Sequence, residues 1–141
     1  FVPGDWYHVA GTFDDITKTV HVFIDGQHRG QTSMVASKSD DCDCMVTIGS
    51  NQSTDPDYGF DGLIDEVRVS STTRYSATFV PPAAPFTMDP DTVALWHFDE
   101  TQGDIAIDAT GSHPGHLGGS QGCGGSAPVR TLAPCIADML N

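Results

Sequence analysis

The sequence predicts an all-β fold, and three observations carry that prediction. Short runs of β-branched and aromatic residues recur along the chain, and within them apolar side chains alternate at the two-residue period of a strand. Turn formers separate the runs: 15 Gly and 9 Pro in 141 residues favour many short strands over long helices. No segment carries sustained helical periodicity. Hydrophobic residues at 38% and charged residues at 18% suit a globular chain of about one domain.

The first run, residues 6–13, is Trp-Tyr-His-Val-Ala-Gly-Thr-Phe and stops at Asp14-Asp15. The second, residues 19–24, places Val20, Val22 and Ile24 on one face. Only Asp14 to Lys18 separates the two, so they read as an antiparallel hairpin. Asp25-Gly26 supplies the positive backbone angles of a second tight turn, leading to a third strand over 28–34. Residues 36–44 read as a polar loop, 45–49 as a short strand with Val46 and Ile48 on one face, and 50–61 as another loop. Residues 62–70 read as a strong strand. Leu63, Asp65, Val67 and Val69 share one face, and Ile64, Glu66 and Arg68 take the other. Residues 71–77 have room for one helical turn. Pro81, Pro82 and Pro85 then force an extended passage. Residues 92–98 form the last strong strand, and from Thr110 onward the chain reads as loop, Gly-rich at 118–125.

Charge narrows the function classes. Acidic residues outnumber basic ones 19 to 6, for a net charge of −13. Nucleic acid is a poor partner, because binding it requires clustered Lys and Arg to displace counterions. An anionic membrane surface is disfavoured for the same reason, and no apolar run approaches the roughly 20 residues of a membrane span. Calcium or a basic partner fits better, although acidity also serves simply to keep an extracellular protein soluble. No signal peptide is visible and the sequence opens on Phe1, so the chain reads as a fragment or mature segment of something longer.

Four cysteines, Cys42, Cys44, Cys123 and Cys135, lie in Gly- and Ser-rich stretches. An even number there points to disulfides and an oxidising compartment. Zinc is the rival reading, but one residue separates Cys42 from Cys44 where zinc knuckles want about two to four between their cysteines. A bridge between Cys42 and Cys44 would be strained, and Cys123 with Cys135 closes a more comfortable loop. All three connectivities stay open.

Three local signatures carry a family resemblance. The first is Trp6-Tyr7-His8-Val9-Ala10-Gly11-Thr12-Phe13-Asp14 with Val22-Phe23-Ile24-Asp25-Gly26. The second is Ile48-Gly49 with Phe60-Asp61-Gly62-Leu63-Ile64-Asp65-Glu66-Val67-Arg68-Val69. The third is Ala94-Leu95-Trp96-His97-Phe98-Asp99-Glu100, then Gly103 and Asp108-Ala109-Thr110-Gly111. Over residues 3–117 the chain resembles the laminin-G-like modules of the concanavalin-A-like lectin/glucanase superfamily. The resemblance implies an antiparallel β-sandwich of jelly-roll type. In that family the Trp-x-Phe-Asp-Glu element looks like an opening and the Ile-Asp-Glu-Val-Arg element a close, yet here the close comes first. The implied layout is the C-terminal part of one module at 1–80, a Pro-rich linker at 81–91, the opening strand region of a following repeat at 92–117, and a Gly/Cys-rich tail at 118–141. The sandwich is therefore expected to be incomplete. The resemblance makes first and last strands neighbours, so the strand at 92–98 is expected to pair beside the strand at 62–70 and cover its open edge.

Catalytic residues are not assigned. Some glucanases of the superfamily carry two carboxylates on alternate residues of one strand, and hydrolysis needs such a pair at a set separation. Asp65 and Glu66 are adjacent, so a strand would point them to opposite faces. Asp61 lies at the turn before, no Glu-x-Asp-x-x-Glu pattern is present, and no Ser/His/Asp or Cys/His set emerges from the spacing. A carboxylate among Leu63, Val67 and Val69 needs donors, and backbone amides, Arg68 or Arg74 are expected to satisfy Asp65.

Binding residues are assigned to one loop. Some laminin-G-like modules bind calcium at a loop rim, and Asp55, Asp57 and Asp61 are the candidate ligands here, with Asp40, Asp41 and Asp43 as a second acidic run. Neither run completes an EF-hand, and Asp-Pro and Asp-Gly are also plain turn chemistry. Tyr58 and Phe60 supply aromatic faces for a sugar, with Asn51 and Asp57 to grip hydroxyls, although Phe60 also suits packing at the start of a strand. Trp6 and Trp96 sit in β-runs and read as core. The histidines at 8, 21, 28, 97, 113 and 116 read as scattered. Asn51-Gln52-Ser53 is a glycosylation sequon. The expected function is non-catalytic recognition or adhesion, with a glycan or an extracellular protein as partner, in a secreted or cell-surface multidomain protein. A structural spacer in a tandem array is the alternative, and a fragment of a glycan-active enzyme the third reading.

Overall fold

A computed structural model describes residues 1–34, 46–49 and 59–117. The four cysteines, Asn51, Asp55, Asp57, Tyr58 and the tail at 118–141 lie outside the described residues. Within them the regular structure is all β and all antiparallel, with no helix. The described residues fall into two compact units, one of 1–34 with 72–82 and the other of 46–49, 59–71 and 83–117.

The first unit is a sheet of β1 (Val9–Asp14), β2 (Thr19–Ile24) and β3 (Gln27–Ser33), in the order β1-β2-β3. Both expected hairpins form. At the first, the Asp14 carboxylate accepts the amides of Ile16 at 2.8 Å and Thr17 at 3.1 Å, closing the turn with a side chain. The Thr17 and Ile16 amides also hold the Asp14 carboxyl below its usual range. At the second, Asp25 and Gly26 take φ of 50° and 71°, the left-handed pair a two-residue hairpin requires. The strand expected from Trp6 starts only at Val9, and Trp6 is 37% exposed, outside the core.

One face of this sheet carries Phe23, which is fully buried. Its ring meets Tyr75 and Phe79, which stack on each other at 3.6 Å. Burying Phe23 stabilises the unit by about 2–3 kcal/mol. The helical turn expected within 71–77 does not form. The segment's hydrogen bonds go instead to the sheet. Thr73 Oγ1 donates to the Phe13 carbonyl at 2.8 Å, Thr12 Oγ1 to the Tyr75 carbonyl at 3.1 Å, and the Phe79 amide to the Gly26 carbonyl at 3.0 Å.

In the second unit β4 (Val67–Ser70) pairs antiparallel with β5 (Thr92–Trp96), with Val67 opposite Trp96 and Val69 opposite Ala94. This is the pairing expected between the 62–70 and 92–98 runs. Ala94, Leu95 and Trp96 are all buried, so β5 is covered on both faces. Ala106 joins Ala94 and Trp96 in the core, with Val67 and Phe98 against them. Two further strands of two residues each, β6 (Ile105–Ala106) and β7 (Gly115–His116), pair antiparallel, the second of them where loop was expected. Conversely, residues 62–66 are not strand, because Glu66 turns left-handed at φ 53° and breaks the run. Residues 46–49 are not strand either, with Gly49 at φ 78°.

Gly26 is the tightest point of the first unit. A β-carbon there would lie 1.9 Å from the Phe79 carbonyl oxygen, on a residue already at positive φ. Gly26→Ala is therefore expected to destabilise the first unit by about 2–4 kcal/mol, read as a lowered urea midpoint of its tyrosine and tryptophan fluorescence.

Candidate functional site

Glu66 sits in a left-handed turn, outside the strand alternation expected of it, with its side chain turned inward. One carboxylate oxygen accepts the Phe86 amide at 2.8 Å and the other meets His97 Nδ1 at 2.7 Å, with the Glu66 side chain 9% exposed. The Arg68 guanidinium lies 4.2 Å from the centre of the Phe86 ring. The stretch after Pro82 is thus pinned to the β4 region at Phe86. Asp65 accepts the Glu66 amide at 3.0 Å, so a backbone amide answers this carboxylate, as expected. Burial raises the Asp65 pKa, and the charges of Glu66 and Asp99 add to the rise.

Asp108 organises the other side of β5. It is 3% exposed, and its carboxylate accepts the Leu95 amide at 2.8 Å, the Thr110 amide at 3.0 Å, the Ser112 amide at 3.2 Å and the His113 amide at 2.8 Å, together with the Thr110 hydroxyl. Trp96 Nε1 donates to the His113 carbonyl at 3.0 Å, and the Ala109 amide donates to the Leu95 carbonyl at 2.8 Å. Burial alone would raise the Asp108 pKa. The Thr110 hydroxyl and the amides of Leu95, Thr110 and His113 outweigh it and hold the carboxyl well below the usual range.

An open cleft of about 270 Å³ is lined by His97, Asp99, Glu100, Ile107 and Ala109. Residues 97–100 leave the end of β5, and Ile107 and Ala109 flank Asp108. Glu100 accepts the Ile107 amide, tying the two walls together. Ile107 is 61% exposed and gives the cleft an apolar edge beside its carboxylates. Sequence reasoning passed over Glu66, His97 and Asp108 as a site. Asp108 stood in the third signature, but its chemistry depends on amides that a linear pattern does not bring together.

Of the sequence-predicted binding residues, Phe60 and Asp61 are described. Phe60 is 61% exposed, so it is not the packing residue its place before a strand suggested. Its amide donates to the Gly49 carbonyl at 2.7 Å, and its ring lies over Gly62, where a β-carbon would come within 2.7 Å of the ring edge. Asp61 is exposed. Asn51, Asp55, Asp57 and Tyr58 lie outside the described residues, and so do all four cysteines. Among the described residues no three His, Cys, Asp or Glu side chains converge as metal ligands. Trp96, 7% exposed, is core as expected. No helix among the described residues is long and apolar enough to cross a membrane.

Antiparallel strands without helices, packed around small aromatic and aliphatic cores, define an all-β protein of the incomplete jelly-roll kind. The laminin G family model of the concanavalin A-like lectin/glucanases superfamily matches residues 1–78, and the chain belongs to that family. Comparison with curated proteins and with solved structures found no match to either.

Asp108→Ala removes the acceptor of four backbone amides at once and is expected to cost about 3 kcal/mol or more of stability in denaturant titrations. The sign with pH follows from the depressed pKa. The carboxylate's contribution is fully present above the unfolded pKa of about 4 and is lost as pH falls toward the folded value. The gap between the protein and Asp108→Asn should therefore be flat above about pH 5 and narrow below about pH 4.

Proposed function

We propose that the chain is a non-catalytic carbohydrate-recognition module of a secreted or cell-surface multidomain protein. The observation that carries this reading is Phe60. A large aromatic ring held 61% exposed over a glycine, and fixed through its own amide, is a preformed flat face at low entropic cost. In this reading Tyr58 adds a second ring and Asn51 and Asp57 grip hydroxyls. The family supports a ligand-binding role, since the superfamily is named for its lectins. The acids near the cleft support binding over hydrolysis: Asp65, Glu66, Glu100 and Asp108 are each engaged by at least one backbone amide and act as structural acceptors.

The layout proposed with this function is a module part at 1–80, a linker at 81–91, a following opening region at 92–117 and a Gly/Cys-rich tail at 118–141, with Cys123–Cys135 bridged. Calcium is proposed at Asp55, Asp57 and Asp61, where a strongly acidic chain favours a hard cation.

On a glycan array, the chain is expected to bind a discrete set of glycans. Phe60→Ala, Tyr58→Ala and Asp57→Ala should each weaken that binding by about tenfold or more with the fold intact. Absence of any glycan signal from the unmutated chain would instead favour the spacer role. Calorimetric titration of chelator-stripped protein with calcium should give a binding isotherm that Asp61→Asn abolishes. Heat that survives in Asp61→Asn removes this residue from the calcium site.

A further inference from the structure

His21 and His28, seven residues apart and unremarkable in the sequence, meet across the β2–β3 hairpin with His21 Nδ1 and His28 Nε2 3.1 Å apart. A β-bulge brings them together. Val22 pairs with Gly30 and Phe23 with His28, which leaves Arg29 as the extra residue. In an unbulged ladder Phe23 would face Arg29, and His28 would fall on the opposite face of the sheet. The bulge instead turns His28 onto the face that holds Phe23 and His21. The buried Phe23 ring then backs both imidazoles, stacked on His21 at 6.4 Å and tilted against His28 at 5.2 Å. His28 is exposed and His21 half-buried, so the pair is open to solvent on one side.

We propose that His21 and His28 form a binding site for a divalent transition-metal ion of the zinc, nickel or copper class. Neutral imidazole nitrogens suit these ions and not the hard cations that prefer oxygen. Metal–nitrogen distances of about 2.0–2.1 Å place two ligands of one ion about 3 Å apart, the separation found here. Whichever ring donates in this contact carries its proton on the other ring nitrogen once the ion binds, a tautomer change that leaves both imidazoles neutral and turns both facing lone pairs to the ion. Two protein ligands leave the remaining coordination positions to water, since no third side chain joins them among the described residues. The site is thus exchangeable and open to an outside donor. A net charge of −13 raises the local concentration of any divalent cation. This site lies in the first unit and is independent of the carbohydrate reading.

The test is side-chain imidazole NMR of the full chain titrated with zinc chloride. The His21 and His28 ring resonances are expected to shift together and saturate, while the His8 and His97 rings stay unmoved. In His28→Gln the His21 response should be lost, with the methyl spectrum reporting an intact fold, and His21→Gln should give the reciprocal result. A His21 shift that survives in His28→Gln overturns the proposal. So does zinc taken up with both rings unmoved, for instance by the cysteines alone.

Discussion

A buried carboxylate in a small β-protein has to be answered from all sides, and Asp108 shows what such an answer builds. Its oxygens reach back to the Leu95 amide and forward to the amides of 110, 112 and 113. Strand β5 and the turn after Asp108 are thereby tied to one point. The indole of Trp96 reaches the same turn through His113, which fixes the largest side chain of the second core. The cleft inherits its shape from this arrangement. One wall leaves the end of β5 and the other flanks Asp108, and Asp108 holds the two together alongside the Glu100 carboxylate and the Ala109 amide. Such a group costs a great deal to bury and gives back stability only when every lone pair is used.

The matched family region ends at residue 78, yet β4 inside it finds its partner in β5 beyond it. Backbone groups along a strand must be paired or wet, and β5 supplies the pairing that β4 needs. Glu66 and Arg68 reinforce the junction by gripping Phe86, so the stretch after the prolines is anchored at its middle. The part of the family region that holds Phe60 and β4 therefore lies in the same compact unit as β5.

What the sequence disclosed follows from how local the cause is. Residues 19–24 alternate cleanly and flank an Asp-Gly turn, so β2 was legible to the residue and its two hairpins were legible as turns, with the ends of β1 and β3 displaced by one to three residues. The β4–β5 pairing was legible through the family's strand order. Glu66 was not, because a non-glycine residue adopts a left-handed backbone only when its surroundings compensate, here through Phe86 and His97. The two-residue strands β6 and β7 are too short to alternate, so no period announces them. Trp6 looked like core because aromatic residues in β-runs usually are, but β1 begins three residues later. His21 and His28 escaped notice because a bulge, unlike a strand, leaves no repeat in the sequence.

The bulge at Arg29 has a second consequence, for how the molecule behaves in a crowd. Among the described residues β3 is the outer strand of its sheet, and all seven of its residues are exposed. A long, flat, apolar rim of this kind recruits stray chains and grows fibrils. Here the rim reads Gln-His-Arg-Gly-Gln-Thr-Ser, with no large apolar side chain, a cation at its third position and a kink in its line of hydrogen bonds. An incoming strand finds no continuous register to copy, so the same irregularity that aligns two imidazoles also discourages self-association along this rim.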